Sequence, residues 1–167
     1  AWYLLKKRHF DIAKPCFSFV FGAAMVLAPL QIFLGDMVGL KVFEYQPLKT
    51  AAIEGNWETQ NGAPLLLFAI PNSKQEKNYY ELSIPKLASL INTHHWNGKL
   101  IGLKSVPRAD RPVVGSTFWM FRVMVGIGFL FFFVALYALW QRWRGQLYSS
   151  ERFYRLCIMI APLGFLS

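Results

Sequence analysis

From Pro15 to Gly35 the chain runs for 21 residues without a charged side chain. A helix rising about 1.5 Å per residue needs roughly 20 such residues to cross the hydrocarbon core of a bilayer. The stretch therefore predicts a transmembrane helix. The 19 residues from Val123 to Gln141 are also uncharged, and the apolar segment reaches back to Pro112 with Arg122 as its only charge. It predicts a second span. Hydrocarbon offers no partner for free backbone N–H and C=O groups, which leaves helices as the form such segments take. Composition agrees, since 54% of the 167 residues are hydrophobic, 17% aromatic and only 16% charged, too oily for an ordinary soluble domain. The fold class expected is all-α: a polytopic transmembrane helical bundle with a long external loop containing short helices.

The formal net charge is +9, which in a soluble protein would suggest nucleic acid. Here the basic residues flank the helices and have a topological explanation. The short segments Lys6 to Lys14 and Arg142 to Arg155 are rich in Lys and Arg, and short basic loops stay cytoplasmic. The segment from about Leu40 to Arg111 then lies on the external, periplasmic face, and no nucleic-acid partner is expected. Lysines within a loop of that length have little influence on orientation. Cys16 and Cys157 sit near cytoplasmic helix ends, where a disulfide is not expected, and read as small apolar side chains.

The resulting order is the end of a transmembrane helix at 1–5, a cytoplasmic loop at 6–14, a transmembrane helix at 15–38 and an external loop at 39–113. A transmembrane helix at 114–140, a cytoplasmic loop at 141–155 and the start of a transmembrane helix at 156–167 follow. The chain opens inside an apolar segment without an initiator Met, and its last apolar run is too short to cross. This layout predicts an internal piece of a longer protein.

The external loop is long for a connection without structure, and its Trp57, Trp96, Tyr79 and Tyr80, with the apolar run Leu65 to Ile70, argue for order. Gln46 to Gly55 reads as a short helix, with Pro47 in its first turn and Gly55 at its end. Pro71-Asn72-Ser73 and Asn97-Gly98 read as turns. Ile84 to Ile91 reads as a further short surface helix.

Few residues in these segments carry chemistry by type alone. Lys49 and Glu54 on the short helix stand about 140° apart on an ideal helix, not as a tight pair one turn apart; they either flank a ligand or are solvated charges on a surface helix. Gln46, three residues before Lys49, shares its face. Met124 lies in an apolar span, where Met is usually filler. Arg122 is a costly side chain near the external end of a membrane helix, and either snorkels to the headgroups or has a partner. Asp36, at a membrane boundary, could lie near a proton exit but reads first as a structural cap or loop anchor.

Three blocks in order are more specific. Gly35-Asp36 closes one helix. Gln46-Pro47-x-Lys49-x-Ala51-Ala52-x-Glu54-Gly55-x-Trp57 opens the loop. Phe118-Trp119-x-Phe121-Arg122-x-Met124-Val125-Gly126 lies on the next helix. Together they resemble subunit I of cytochrome bd-type terminal oxidases, over essentially the whole chain, with a loop like the shorter of the two family types, which includes the cyanide-insensitive oxidases.

The resemblance implies that the first half of the loop binds and oxidises quinol, ubiquinol or menaquinol, with Lys49 and Glu54 taking part. Glu54 is then the proton acceptor, Lys49 the ligand of a quinone oxygen and Gln46 an added hydrogen bond. Met124 matches an axial ligand of the low-spin haem b, with Gly128 one turn on giving room for the macrocycle. Arg122 is a candidate partner for a haem propionate. His9, His94 and His95 do not match the opposite His ligand, which is expected before Ala1, and read as surface histidines. The high-spin haem b and haem d have their ligands outside this chain. A second, homologous membrane subunit (subunit II), a bacterial cytoplasmic (inner) membrane and proton-motive force generated by reducing oxygen to water are also implied. The alternative is a transporter or assembly subunit whose external loop binds a partner protein; a cytochrome b-type quinone subunit fits less well, because it pairs His ligands inside its helices.

Overall fold

The computed structural model describes residues 1–165, and its contacts divide into two units: residues 1–32 with 123–167, and residues 33–122. Each contains part of both long helices, α2 (Phe10–Tyr45) and α5 (Val114–Trp143). Both helices are long and apolar enough to cross a membrane, with windows of mean hydropathy 2.0 and 2.3.

The helices overrun their expected limits. α2 starts at Phe10, inside the expected cytoplasmic loop, and continues past residue 38 to Tyr45. α5 ends at Trp143 rather than 140. Charged residues did not stop the helices because a helix needs apolar side chains only where it meets hydrocarbon. Pro15 and Pro29 both lie inside α2; each removes one backbone hydrogen bond, a loss membrane helices tolerate when neighbours satisfy the freed carbonyl.

In the first unit a short α1 (Trp2–Leu5), α2, α5 and α6 (Glu151–Ile160) share an aromatic core. Phe17, the buried residue of α2, meets Phe21, Phe153 and Tyr154 at centroid distances of 4.8, 6.0 and 5.5 Å. Val134 and Ala138 of α5 join them. α6 begins at Glu151 because Ser150 caps it, its hydroxyl accepting the Phe153 N–H at 3.3 Å. The helix expected from 156 thus starts earlier and passes into a 3₁₀ turn at Ala161–Phe165; residues 166 and 167 of that expected segment lie outside the described residues. Cys16 and Cys157 are both free thiols.

The second unit holds the ordered loop. α3 (Pro47–Glu54) is the short helix expected, with Pro47 at its start and Gly55 in the left-handed conformation at φ 67° closing it. A feature the sequence reading lacked is an antiparallel hairpin of β2 (Leu65–Asn72) and β3 (Lys77–Ile84), pairing Leu65 with Ile84 and Asn72 with Lys77. Pro71 and Asn72 therefore belong to a strand, and the turn falls one step later, at residues 73–76. Asn72 still makes it, because its Oδ1 accepts the Lys74 and Gln75 N–H groups at 3.0 Å each.

α4 spans Leu87–Thr93 rather than 84–91, since Ile84 is the last residue of β3. Two-residue strands β1 (Gln60–Asn61) and β4 (Lys99–Leu100) pair antiparallel and close the loop on itself. Asn97 lies in the turn before β4, with Gly98 just after it.

Small residues make the unit's core. Ala51 and Ala52 of α3 pack with Trp57, Leu103 and Val114, and Leu66, Ala69 and Phe118 form a neighbouring cluster. Gly102 is demanded by contact: a Cβ there would stand 2.2 Å from the Glu58 carbonyl carbon. Of the loop aromatics expected to pack, Trp57 does, whereas Trp96 and Tyr80 are exposed.

Candidate functional site around Glu54

α3 presents two faces. Thr50, Ala51, Ala52 and Glu54 are buried, while Gln46 and Lys49 are exposed. This agrees with the angular separation of Lys49 and Glu54, and the structure does not bring these two side chains together. Gln46 sits at the helix start, its carbonyl accepting the Lys49 N–H at 2.9 Å.

Glu54 is 6% exposed and occupies the last turn of α3. Its Oε1 accepts a hydrogen bond from Asn92 Nδ2 at 3.2 Å. Its Oε2 stands 3.8 Å from Arg122 Nη2 and has no hydrogen-bond partner among the described residues. Burial pushes the carboxyl above the usual range, with the Asn92 bond and the Arg122 charge opposing it. An acid at the negative end of a helix dipole is pushed the same way.

Arg122 has five N–H donors. Nε and Nη2 bond the Leu66 carbonyl at 2.8 and 2.5 Å, and Nη1 bonds the carbonyls of Ile53 at 2.5 Å and Phe118 at 3.3 Å. Its guanidinium lies 3.4 Å from the Phe118 ring centroid. The carbonyls of Ile53 and Leu66 belong to α3 and β2, so one side chain ties both to α5. The remaining Nη2 hydrogen faces Glu54, and little donor capacity is left for a haem propionate.

Beside Glu54 opens a cavity of about 320 Å³ whose lining includes Trp57, Pro64, Leu66 and Asn78. Asn78 Oδ1 accepts from Trp57 Nε1 at 2.8 Å, and its Nδ2 donates to the Gly55 carbonyl at 3.0 Å. The hairpin thereby fixes the indole and the end of α3 together. The cavity lining does not include Lys49 or Gln46.

Asp36 does not cap a helix, because α2 continues past it to Tyr45. It meets His94 Nε2 at 3.2 Å, which fastens the residue following α4 to α2. His94 is thus paired, although more than half exposed, and His9 and His95 are exposed. Met124 is 43% exposed on α5. A Cβ built at Gly128, one turn on, would have no atom within 4 Å. A thioether with open space one turn along the helix would suit a sulfur ligand of a haem iron, which would supply electron-transfer chemistry there.

Asn92 and Asn78 are the residues sequence reasoning missed. The signal for Asn92 was weak, because Ser89 of the same short helix is polar and buried too. Asn78 gave none, because the hairpin carrying it was not foreseen.

Two helices of membrane-spanning length and hydropathy, joined through an ordered loop that buries an acid beside a cavity, fit a polytopic membrane protein. The family model of cytochrome bd terminal oxidase subunit I matches residues 1–167, so the chain belongs to that family. Over its whole length the chain is 28% identical to cytochrome bd-II ubiquinol oxidase subunit 1 of Escherichia coli K12 and 32% identical to cytochrome bd ubiquinol oxidase subunit 1 of Bacillus subtilis 168. It covers 45% and 38% of those relatives, less than half of each. The bd oxidase structure of Geobacillus thermodenitrificans superposes with a TM-score of 0.87 at 29% identity, over 99% of this chain and 38% of that one. The transporter and assembly readings are set aside by this membership.

Proposed function

We propose that this chain supplies the quinol-oxidising loop and one haem ligand of a cytochrome bd-type oxidase that reduces oxygen to water and generates proton-motive force. The observation that carries the reading is Glu54: a carboxylate kept buried between a neutral donor and a cation, at the wall of a cavity. Its raised pKa moves it towards the value a proton acceptor needs near neutral pH. A quinol hydroxyl reaching the cavity would give its proton to Glu54, while Trp57 and Leu66 offer apolar contact to the ring.

Lys49 and Gln46 are proposed to contact quinol from the exposed face of α3, since a ligand confined to the cavity would not touch them. Met124 is proposed as the axial ligand of a low-spin haem b, which when bound supplies a one-electron acceptor. Arg122 is proposed to hold α3 and β2 in register and to bias Glu54 towards its anion, rather than to pair a propionate. The remaining haems, a second membrane subunit and a bacterial cytoplasmic membrane complete the proposed assembly, with ubiquinol or menaquinol as substrate. The alignment with the Escherichia coli relative runs over 235 residues, against 181 with the Bacillus relative, which supports the shorter loop type.

The test is quinol-dependent oxygen uptake by the full-length protein with its partner subunit. Glu54→Gln is expected to retain the haem spectrum and lose about 10²-fold or more in quinol oxidation, the scale of a lost general base. Unchanged uptake would refute the assignment.

A further inference from the structure

We propose that Asn92, on the far side of the loop in sequence, is a positioning residue for quinol oxidation that fixes the Glu54 carboxylate and favours its anion through the hydrogen bond to Oε1. The inference rests on Glu54 being the proton acceptor. Asn92 is buried, and its Nδ2 donates to both Glu54 Oε1 at 3.2 Å and the Ala88 carbonyl at 2.9 Å. The second bond fixes the amide. Turning it over would set Oδ1 against the Ala88 carbonyl, which cannot donate, so the side chain presents N–H to Glu54 in either protonation state.

A fixed donor cannot take a proton from Oε1 and does not accept one from the carboxylic acid. It stabilises the charged form alone. Oε2 is closed off from solvent, stands 3.8 Å from Arg122 Nη2 and has no hydrogen-bond partner among the described residues. When a quinol hydroxyl transfers its proton, the quinol O–H bond breaks, its electron pair stays on the quinol oxygen, and the new O–H bond forms on the Glu54 carboxylate. The acid can then release the proton while the Asn92 bond remains in place.

Other charged groups near Glu54 are Arg122 on α5, Glu58 and Lys104 on connecting segments, and Glu76, Lys77 and Glu81 on the hairpin side of the cavity. Glu58 is paired with Lys104, and Glu76 with Arg108 and Arg111. Asn92 bonds none of these carboxylates, so its removal should be felt at Glu54.

The experiment measures kcat and KM for a soluble short-tail quinol against pH, in the full-length complex, for wild type, Asn92→Leu, Asn92→Ser and Glu54→Gln. The serine hydroxyl can bond the Ala88 carbonyl one turn back without reaching Glu54. Both Asn92 variants are expected to keep the haem spectrum and move the acid limb of kcat upward by about one pH unit, the scale of one lost hydrogen bond to a carboxylate. Should Asn92→Leu lose its haems, the Asn92→Ser profile decides. An unmoved limb beside an inactive Glu54→Gln would overturn the role of Asn92 and leave that of Glu54 intact. A fully active Glu54→Gln would overturn the reading beneath it. Loss of haem from both Asn92 variants would also overturn the proposal, because Asn92 would then be a folding residue.

Discussion

At the scale of single residues the proposed chemistry rests on Glu54, whose protonation is linked to stability with a definite sign. Its pKa is raised in the folded protein, mainly by burial. The folded state therefore binds more protons than the unfolded one between the ordinary carboxylate range and the raised value. Stability should be full below that window and fall as pH rises through it. Thermal denaturation of the solubilised complex is expected to lose this dependence in Glu54→Gln, which should gain relative to wild type on the alkaline side; parallel curves for the two proteins would contradict the burial argument. The role of Glu54 was visible only through family resemblance, since spacing alone allowed a solvated charge. The exposure of Lys49 was within reach of helix geometry. The commitment of Arg122 to three carbonyls was not, because those acceptors are backbone groups of three elements, one of them a hairpin strand no local pattern announced.

Among the elements, the hairpin shows best why the sequence was hard to read. β2 buries only Leu66 and Ala69, a spacing of three that breaks strand alternation and would suit a helix face, and its register shifts between Leu66 and Phe68 and again before Ile70. The turn is legible, the strands are not. Its tip is held from outside: Glu76 accepts from Arg108 at 2.5 Å and Arg111 at 2.9 Å. The bond to Arg111 chiefly, and that to Arg108, hold the Glu76 carboxyl below its usual range. The clamp should be present above the ordinary carboxylate range and fail as pH drops through the lowered value. Limited proteolysis is expected to cut Glu76→Gln faster near residues 73–76 at neutral pH, and equal rates would argue against the clamp. Gly102 sets a second constraint. Gly102→Ala must move backbone at Glu58, and should cost about 2 kcal/mol or more in the loop unit, seen as lost quinol oxidation with haem retained; wild-type activity would show that the contact relaxes.

At the scale of the whole chain, two uncharged stretches decided the architecture before any fine detail. Hydrocarbon imposes a length and a backbone rule that few soluble sequences meet, so α2 and α5 were legible while their ends were not. Their exposed apolar faces, with Phe19 and Met120 both above 70%, suit lipid or the rest of a larger assembly. The ligand role proposed for Met124 belongs to this scale, because a ligand on one helix works only with a partner from elsewhere in the protein. The most direct test of the account is the reduced-minus-oxidised spectrum of the full-length complex, recorded with quinol-dependent oxygen uptake for Met124→Leu and Glu54→Gln. The account predicts loss of the low-spin haem band in the first, and an intact spectrum with uptake reduced about 10²-fold or more in the second. An unchanged spectrum and unchanged uptake in both would contradict it.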